Sequence, residues 1–229
     1  MGPWGDIPGV TGGRDLSANG TWFAVDRERR FGVVTNFREF GRTRRGAPSR
    51  GGLIPAYLAS RDAPASRLRE LETDAPAYAG FNLLLGDREQ LWYASNRADT
   101  FARELPPGIY GLSNEFLDTP WPKVMRVRER FASLLSGRPA SDRGALAEQL
   151  LEMLADREPA SAGSEPPGDL SPEWARKLSA PFVLDPGYGT RCSTILTIGN
   201  DGSLATTERR FDAEGRTTGQ SEHRLNDGA

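Results

Sequence analysis

Apolar and polar positions along this chain fall into short runs with two different spacings. Thr21-Trp22-Phe23-Ala24-Val25 and Phe31 to Asn36 are dense in β-branched and aromatic residues, and the charged stretch Asp26 to Arg30 separates them. That pattern predicts a hairpin. Gly80 to Leu85 and Gln90 to Ser95 repeat it about the polar turn Gly86-Asp87-Arg88-Glu89. Gly108 to Leu112 predicts a further strand. Ser193 to Ile198 and Leu204 to Phe211 predict a last hairpin across Asn200-Asp201-Gly202, a strong turn signal. Elsewhere the spacing is helical. Trp121, Val124, Val127, Phe131 and Leu134 line one face of an amphipathic helix over Pro120 to Leu135, with proline near its start. Gly52 to Ser60, Ala63 to Leu71, Gly144 to Ala155 and Ser171 to Leu178 predict four more helices, the last capped by Ser171 with Pro172 at its first position.

The remaining segments read as irregular. Residues 1–20 are rich in Gly, Pro and Asp and predict a loop, and 213–229 predict a polar tail. Phe37 to Arg50 is a basic loop holding Arg38, Arg42, Arg44, Arg45 and Arg50. Residues 159–169 hold few hydrophobic residues and predict a mobile loop. Because hairpins dominate, the expected class is α+β, with mainly antiparallel sheets and helices on their outer faces. A length of 229 residues suits one domain with a real core.

Composition narrows the partners. A net charge of -2 gives no argument for a global electrostatic partner, so neither nucleic acid nor an anionic membrane is expected. Lys123 and Lys177 are the only lysines, every other cation being arginine. Codon bias in a GC-rich genome accounts for that skew, and so would selection for bidentate anion binding. A single cysteine, Cys192, rules out an internal disulfide and fits a reducing compartment. A single histidine, His223, rules out a metal site built on two histidines, and its polar surroundings (SEHRLNDGA) predict a solvated residue. No apolar run reaches 18 residues, and MGPWGDIPGV lacks the features of a signal peptide. The expected location is cytoplasmic, without stable membrane insertion.

Candidate chemistry concentrates in Pro186-Gly187-Tyr188-Gly189-Thr190-Arg191. Two glycines flank an aromatic residue and lead to an arginine at a strand start, a position suited to a carboxylate or phosphate. A tight loop whose arginine pairs with a nearby acid fits the same residues. Asn114, ending Tyr110-Gly111-Leu112-Ser113-Asn114, is an amide donor of the kind that serves an oxyanion, or the start of a turn. Thr35-Asn36-Phe37-Arg38 repeats that arrangement and ambiguity. Cys192 reads either as a nucleophile with Arg191 favouring its thiolate or as a strand-core residue. Trp22, Trp92 and Trp121 would line an apolar ligand site or fill the core. The basic loop would bind an acidic partner or be solvated.

Taken in order, several stretches resemble the NRDE family, also called the transport and Golgi organization 2 family. They are Gly20-Thr21-Trp22, Thr35-Asn36-Phe37-Arg38, Ser49-Arg50-Gly51, Gly80-Phe81-Asn82-Leu83, Tyr110 to Asn114, Leu117 to Lys123, and Pro186 to Arg191 with Glu208-Arg209 downstream. The resemblance runs from about residue 11 to about residue 212. It implies a four-layer αββα sandwich like that of the N-terminal-nucleophile hydrolases. Family members open with Met-Cys and an Asn-Arg-Asp-Glu motif, whereas this chain opens MGPW. The resemblance therefore implies an N-terminally truncated member without the attacking cysteine. It gives Asn114 the oxyanion role and Arg191 the role of closing the site.

Two functions follow from the resemblance. One is a cytoplasmic binding or trafficking protein for haem or a similar amphipathic anion, including acyl or coenzyme A-type metabolites, with Trp22, Asn36, Arg38, Tyr188 and Arg191 as ligand contacts. Haem would be transported cargo and not a fixed cofactor. The alternative is an N-terminal-nucleophile amidohydrolase that lacks its nucleophile. As written, the chain reads as a non-enzyme.

Overall fold

A computed structural model describes residues 1–16, 20–39, 46–136, 143–165, 168 and 170–225, and the chain divides into two compact units. The first comprises Met1–Gly108 and Leu112–Leu117, the second Ile109–Gly111 and Asp118–Ala229. The class is α+β, with every strand pairing antiparallel.

The first unit holds a seven-stranded meander, β1 (Gly2–Pro3), β2 (Val10–Gly12), β3 (Phe23–Asp26), β4 (Phe31–Asn36), β5 (Phe81–Gly86), β6 (Leu91–Ser95) and β7 (Ala102–Glu104), in that spatial order. Helices α1 (Leu53–Ala59) and α2 (Pro64–Asp74) belong to the same unit. Its core joins Leu53, Ile54, Tyr57 and Leu58 of α1 and Leu68 and Leu71 of α2 to Ala24, Phe81, Leu83, Leu85 and Ala94 of the sheet. Leu83 and Leu85 alternate with Asn82 and Leu84, so one face of β5 is apolar and helix-covered while Asn82 points the other way. Gly32 makes the packing close, because a Cβ there would lie 2.9 Å from Ile54 Cγ1.

The second unit holds α3 (Pro122–Leu135), α4 (Arg143–Leu154), α5 (Pro172–Lys177) and a sheet ordered β10 (Thr217–Leu225), β9 (Leu204–Phe211), β8 (Cys192–Ile198). Val127, Phe131 and Leu134 of α3 meet Ala147, Leu150, Leu151 and Met153 of α4 over Ile195 of β8. The helical spacing read from Trp121 to Leu134 is thus the packing face of α3, and Trp121 itself is buried at the cap. Ser171 caps α5 by accepting from Trp174 N.

Four expectations need correction. Residues 1–20 are not all loop: Gly2 and Pro3 pair with Gly12 and Thr11, and Trp4 is buried, its indole NH reaching Gly12 O. Gly108 to Leu112 forms no strand. Gly111 N donates to Asp118 Oδ1 at 2.7 Å and Asp118 N to Gly111 O at 2.7 Å, folding the chain back, and the edge of the sheet is taken by β7 instead. Residues 213–229 are not simply a tail. Gly215, in the left-handed region at φ 71°, closes a turn capped by Asp212, and Thr217–Leu225 then pairs along β9. An edge strand needs no apolar run, which is why its polar sequence hides it. His223 accordingly lies on β10, with Nε2 buried and without a hydrogen-bond partner. Of the expected loop 159–169, positions 166, 167 and 169 lie outside the described residues; Ala160 is buried and its N–H is held by Ser179 Oγ at 2.8 Å. Arg42, Arg44 and Arg45 of the basic loop also lie outside them.

Candidate functional site

In the first unit the end of β4 and the segment 112–117 meet. Arg38 N donates to Asn114 O at 2.7 Å, and Asn114 Nδ2 donates to Asn36 O at 2.9 Å. Thr35 Oγ1 donates to Ser113 O at 3.0 Å. Phe37 and Phe116 pack edge to face, 4.9 Å between ring centres. Three predicted residues, Asn36, Arg38 and Asn114, are thereby brought to one corner. Asn114 spends one amide hydrogen on docking its own loop, and its second finds no acceptor among the described residues.

The segment 112–117 has no strand ladder, so something else must hold it. Asn82, fully buried on β5, is that anchor. Its Nδ2 donates to Glu115 O at 3.0 Å and to Thr35 Oγ1 at 3.3 Å, and its Oδ1 accepts from Tyr93 Oη at 2.8 Å. Tyr93 Oη in turn accepts from Leu117 N at 3.2 Å. Burial pushes the Tyr93 phenol above its ordinary pKa, keeping it the donor that Asn82 requires. Burial likewise raises the Glu115 carboxyl, against the opposing charge of Arg38. Sequence reasoning quoted Asn82 only as part of a motif; an amide inside an otherwise apolar strand run was the available signal.

Beside this corner Gly80 acts as a hub. Its N–H donates to Glu39 Oε2 at 2.8 Å, and its carbonyl accepts from Phe37 N at 3.0 Å and from Arg50 Nη1 at 2.9 Å. A Cβ on Gly80 would lie 2.8 Å from Glu39 Cδ, so the cluster needs glycine. Arg97 Nε completes Glu39 at 2.5 Å. Gly20 and Gly51 cross in close contact: a Cβ on Gly20 would lie 2.5 Å from Gly51 Cα, and Thr21 N donates to Gly51 O at 3.1 Å. Trp22, 40% exposed, lays its ring over Gly13, where a Cβ would lie 2.3 Å from Cζ2. Trp92 and Trp121 are packing residues, Trp92 against the first unit's core and Trp121 at the start of α3.

Tyr188 and Arg191 belong to the second unit. Asp185 opens their loop by accepting from Gly187 N at 3.0 Å and from Lys177 Nζ at 2.9 Å, and these bonds hold its carboxyl below the ordinary range, the lysine first. Val183 and Thr190 close it, Thr190 N donating to Val183 O at 2.9 Å and Val183 N to Thr190 Oγ1 at 3.0 Å. Tyr188 is 63% exposed and meets Trp174 edge to face at 6.3 Å, while Lys177 Nζ lies 5.3 Å from the Trp174 ring centre. The Arg191 guanidinium folds over Gly189, Nη1 lying 3.1 Å from where a Cβ would stand. Arg191 is exposed and makes no ion pair among the described residues, so the acid pairing of the tight-loop alternative is not found there. The nucleophile alternative for Cys192 finds no support in its surroundings. The residue sits half-buried on β8, and burial and then Glu208 push its thiol up.

The family model described as Transport and Golgi organisation 2 matches residues 1–213. The chain belongs to that family. Relatives agree: the bovine Transport and Golgi organization protein 2 homolog is 31% identical over 217 residues, covering 90% of this chain and 78% of the relative. The mouse Transport and Golgi organization 2 homolog is 30% identical over the same shares. The Drosophila melanogaster Transport and Golgi organization protein 2 is 23% identical over 218 residues, covering 88% of this chain and 76% of the relative. The family match takes in the Asn36–Arg38–Asn114 corner and the Tyr188–Arg191 loop alike.

Proposed function

We propose that this Transport and Golgi organization 2 family member binds and carries an amphipathic anion, haem or a similar acyl or coenzyme A-type metabolite, as a cytoplasmic protein. The observation that carries the reading is the Tyr188–Arg191 loop. An exposed aromatic ring braced on Trp174 shares its loop with an exposed guanidinium that forms no ion pair with a carboxylate among the described residues. Such a pair offers an apolar face and a fork for a carboxylate or phosphate, the two halves of an amphipathic anion. Within the first unit, Asn36, Arg38 and Asn114 offer amide and guanidinium donors of the same chemistry, and Trp22 offers exposed apolar surface. These groups bind and orient; they are not a nucleophile with its base, which favours binding over hydrolysis.

Within this reading the two units work as one domain, supported by the family match that runs across both. A four-layer, N-terminal-nucleophile-hydrolase-like sandwich is part of the same proposal, supported by two antiparallel sheets, each with helices packed on a face. No helix among the described residues is long and apolar enough to cross a membrane, and a net charge of -2 supports a small ligand over nucleic acid as partner. The test is haemin titration followed at the Soret band, wild type against Arg191→Ala.

A further inference from the structure

Several partly buried arginines of this protein meet carboxylates. Arg30 pairs with Asp26 at 2.8 Å, Arg97 with Glu39 at 2.5 Å, Arg126 with Asp156 at 2.8 Å and Arg128 with Asp118 at 3.2 Å. The reason is general, since a cation withdrawn from water needs a counter-charge close by. Arg50 differs from these. It is half-buried at the turn before α1, and its one hydrogen bond goes to a neutral acceptor, the Gly80 carbonyl at 2.9 Å. No carboxylate of the described residues forms an ion pair with it. Glu39 lies close enough to be felt, but Arg97 Nε and Gly80 N already take its two oxygens. A guanidinium carries five N–H donors, so most of those on Arg50 face no acceptor among the described residues.

We propose that Arg50 is the cation of an oxyanion-binding subsite in the first unit, taking the carboxylate or phosphate group of a small ligand. The inference deepens the ligand reading above, and rests on it only for the oxyanion's belonging to a larger molecule. Three features fit. The Gly80 bond fixes one edge of the guanidinium, so little side-chain freedom remains to be lost on binding. Desolvation lowers the Arg50 pKa against the pull of Glu39, the strain that a bound anion relieves. Arg50 also adjoins Gly51, whose carbonyl receives Thr21 N, so the subsite lies on the same backbone crossing that carries Trp22. An exposed aromatic residue and a desolvated cation are then anchored to one rigid element.

The test uses the full chain labelled with nitrogen-15, its arginine Nε–Hε resonances observed by NMR and Arg50 assigned from Arg50→Lys. Inorganic phosphate and, separately, acetate are titrated at constant ionic strength. The subsite predicts a saturable shift of the Arg50 resonance with at least one of them, while exposed Arg216 follows no saturating curve. A shift with phosphate alone assigns a phosphate-bearing ligand; a shift with acetate alone assigns a carboxylate. No saturable shift with either anion overturns the proposal. Thermal melting gives a second readout, in which phosphate or acetate raises the wild-type melting temperature and Arg50→Gln abolishes the rise. If Arg50 is only a clamp on Gly80, Arg50→Gln lowers the melting temperature equally with and without the anion, which also overturns the subsite. A saturable shift at Arg50 in a protein that gives no Soret change with haemin overturns the haem reading and leaves this subsite standing.

Discussion

Asn82 and Tyr93 form a buried hydrogen bond at 2.8 Å, and through it β5 and β6 hold a loop that belongs to neither strand. The amide uses both ends and the phenol both donates and accepts, so removing either side chain leaves buried polar groups without a partner. Leaving a buried polar group unsatisfied costs about 1–3 kcal/mol. Asn82→Leu strands Tyr93 Oη and Glu115 O and is expected to lower stability by about 2–4 kcal/mol, two such groups being exposed to that cost. Tyr93→Phe, which keeps the ring but leaves Asn82 Oδ1 and Leu117 N without their partner, should lose about 2–4 kcal/mol. A double-mutant cycle by urea denaturation should show coupling; additive losses would mean that the two do not act together.

The crossing of Gly20 and Gly51 leaves no room for a methyl group. A Cβ on Gly20 would stand 2.5 Å from Gly51 Cα and 2.9 Å from its carbonyl carbon, so backbone must move. Gly20→Ala should therefore cost about 1–3 kcal/mol or more, as overpacking does. Gly52→Ala, where nothing lies within 4 Å of the added atom, is the control and should change stability by less than about 1 kcal/mol. Equal losses at the two positions would show that helix-start geometry, and not the crossing, is at stake.

Cys192 should react as a protonated thiol. Burial and Glu208 raise its pKa, so alkylation by iodoacetamide should show a pH midpoint above the ordinary thiol value of about 8.5. The sign for stability follows from linkage. With the folded pKa above the unfolded one, the folded state holds the proton more tightly. The contribution is then complete below the unfolded thiol pKa and lost as pH rises through the folded value. Cys192→Ser should flatten that alkaline decline. A reaction midpoint below the ordinary thiol range would restore the activated-thiolate reading.

How much of this was legible in the sequence depended on whether a signal was local. The β4 and β5–β6 patterns were readable because their side chains alternate or their turns are polar, and α3 because one face is apolar. β10 was not, because an edge strand with polar residues is recognised by the partner it pairs with. Gly215 at the preceding turn was its only local mark. Likewise Gly108 to Leu112 has strand-like composition, yet Asp118, seven residues beyond Gly111, supplies the bonds that turn the chain there. At the site, Asn36, Arg38 and Asn114 stood out as amides and cations at strand ends, and the structure joins them. Asn82, Tyr93 and Gly80, which hold that corner, were invisible as a group because their connections span distances in sequence that no motif records.

The Tyr188–Arg191 loop, whose guanidinium has no ion pair among the described residues, is proposed to take an anionic, largely apolar ligand. Haemin titrated into the protein at micromolar concentration is the most direct test, read at the Soret band for wild type, Arg191→Ala and Tyr188→Ala. Saturable binding is predicted for wild type. Loss of one charge-assisted hydrogen bond, worth about 1.5–3 kcal/mol, should weaken it by roughly ten- to a hundredfold in Arg191→Ala. Tyr188→Ala should weaken it less, and both variants should melt as wild type does. No spectral change in the wild type, or equal affinity in the wild type and Arg191→Ala, would contradict the account.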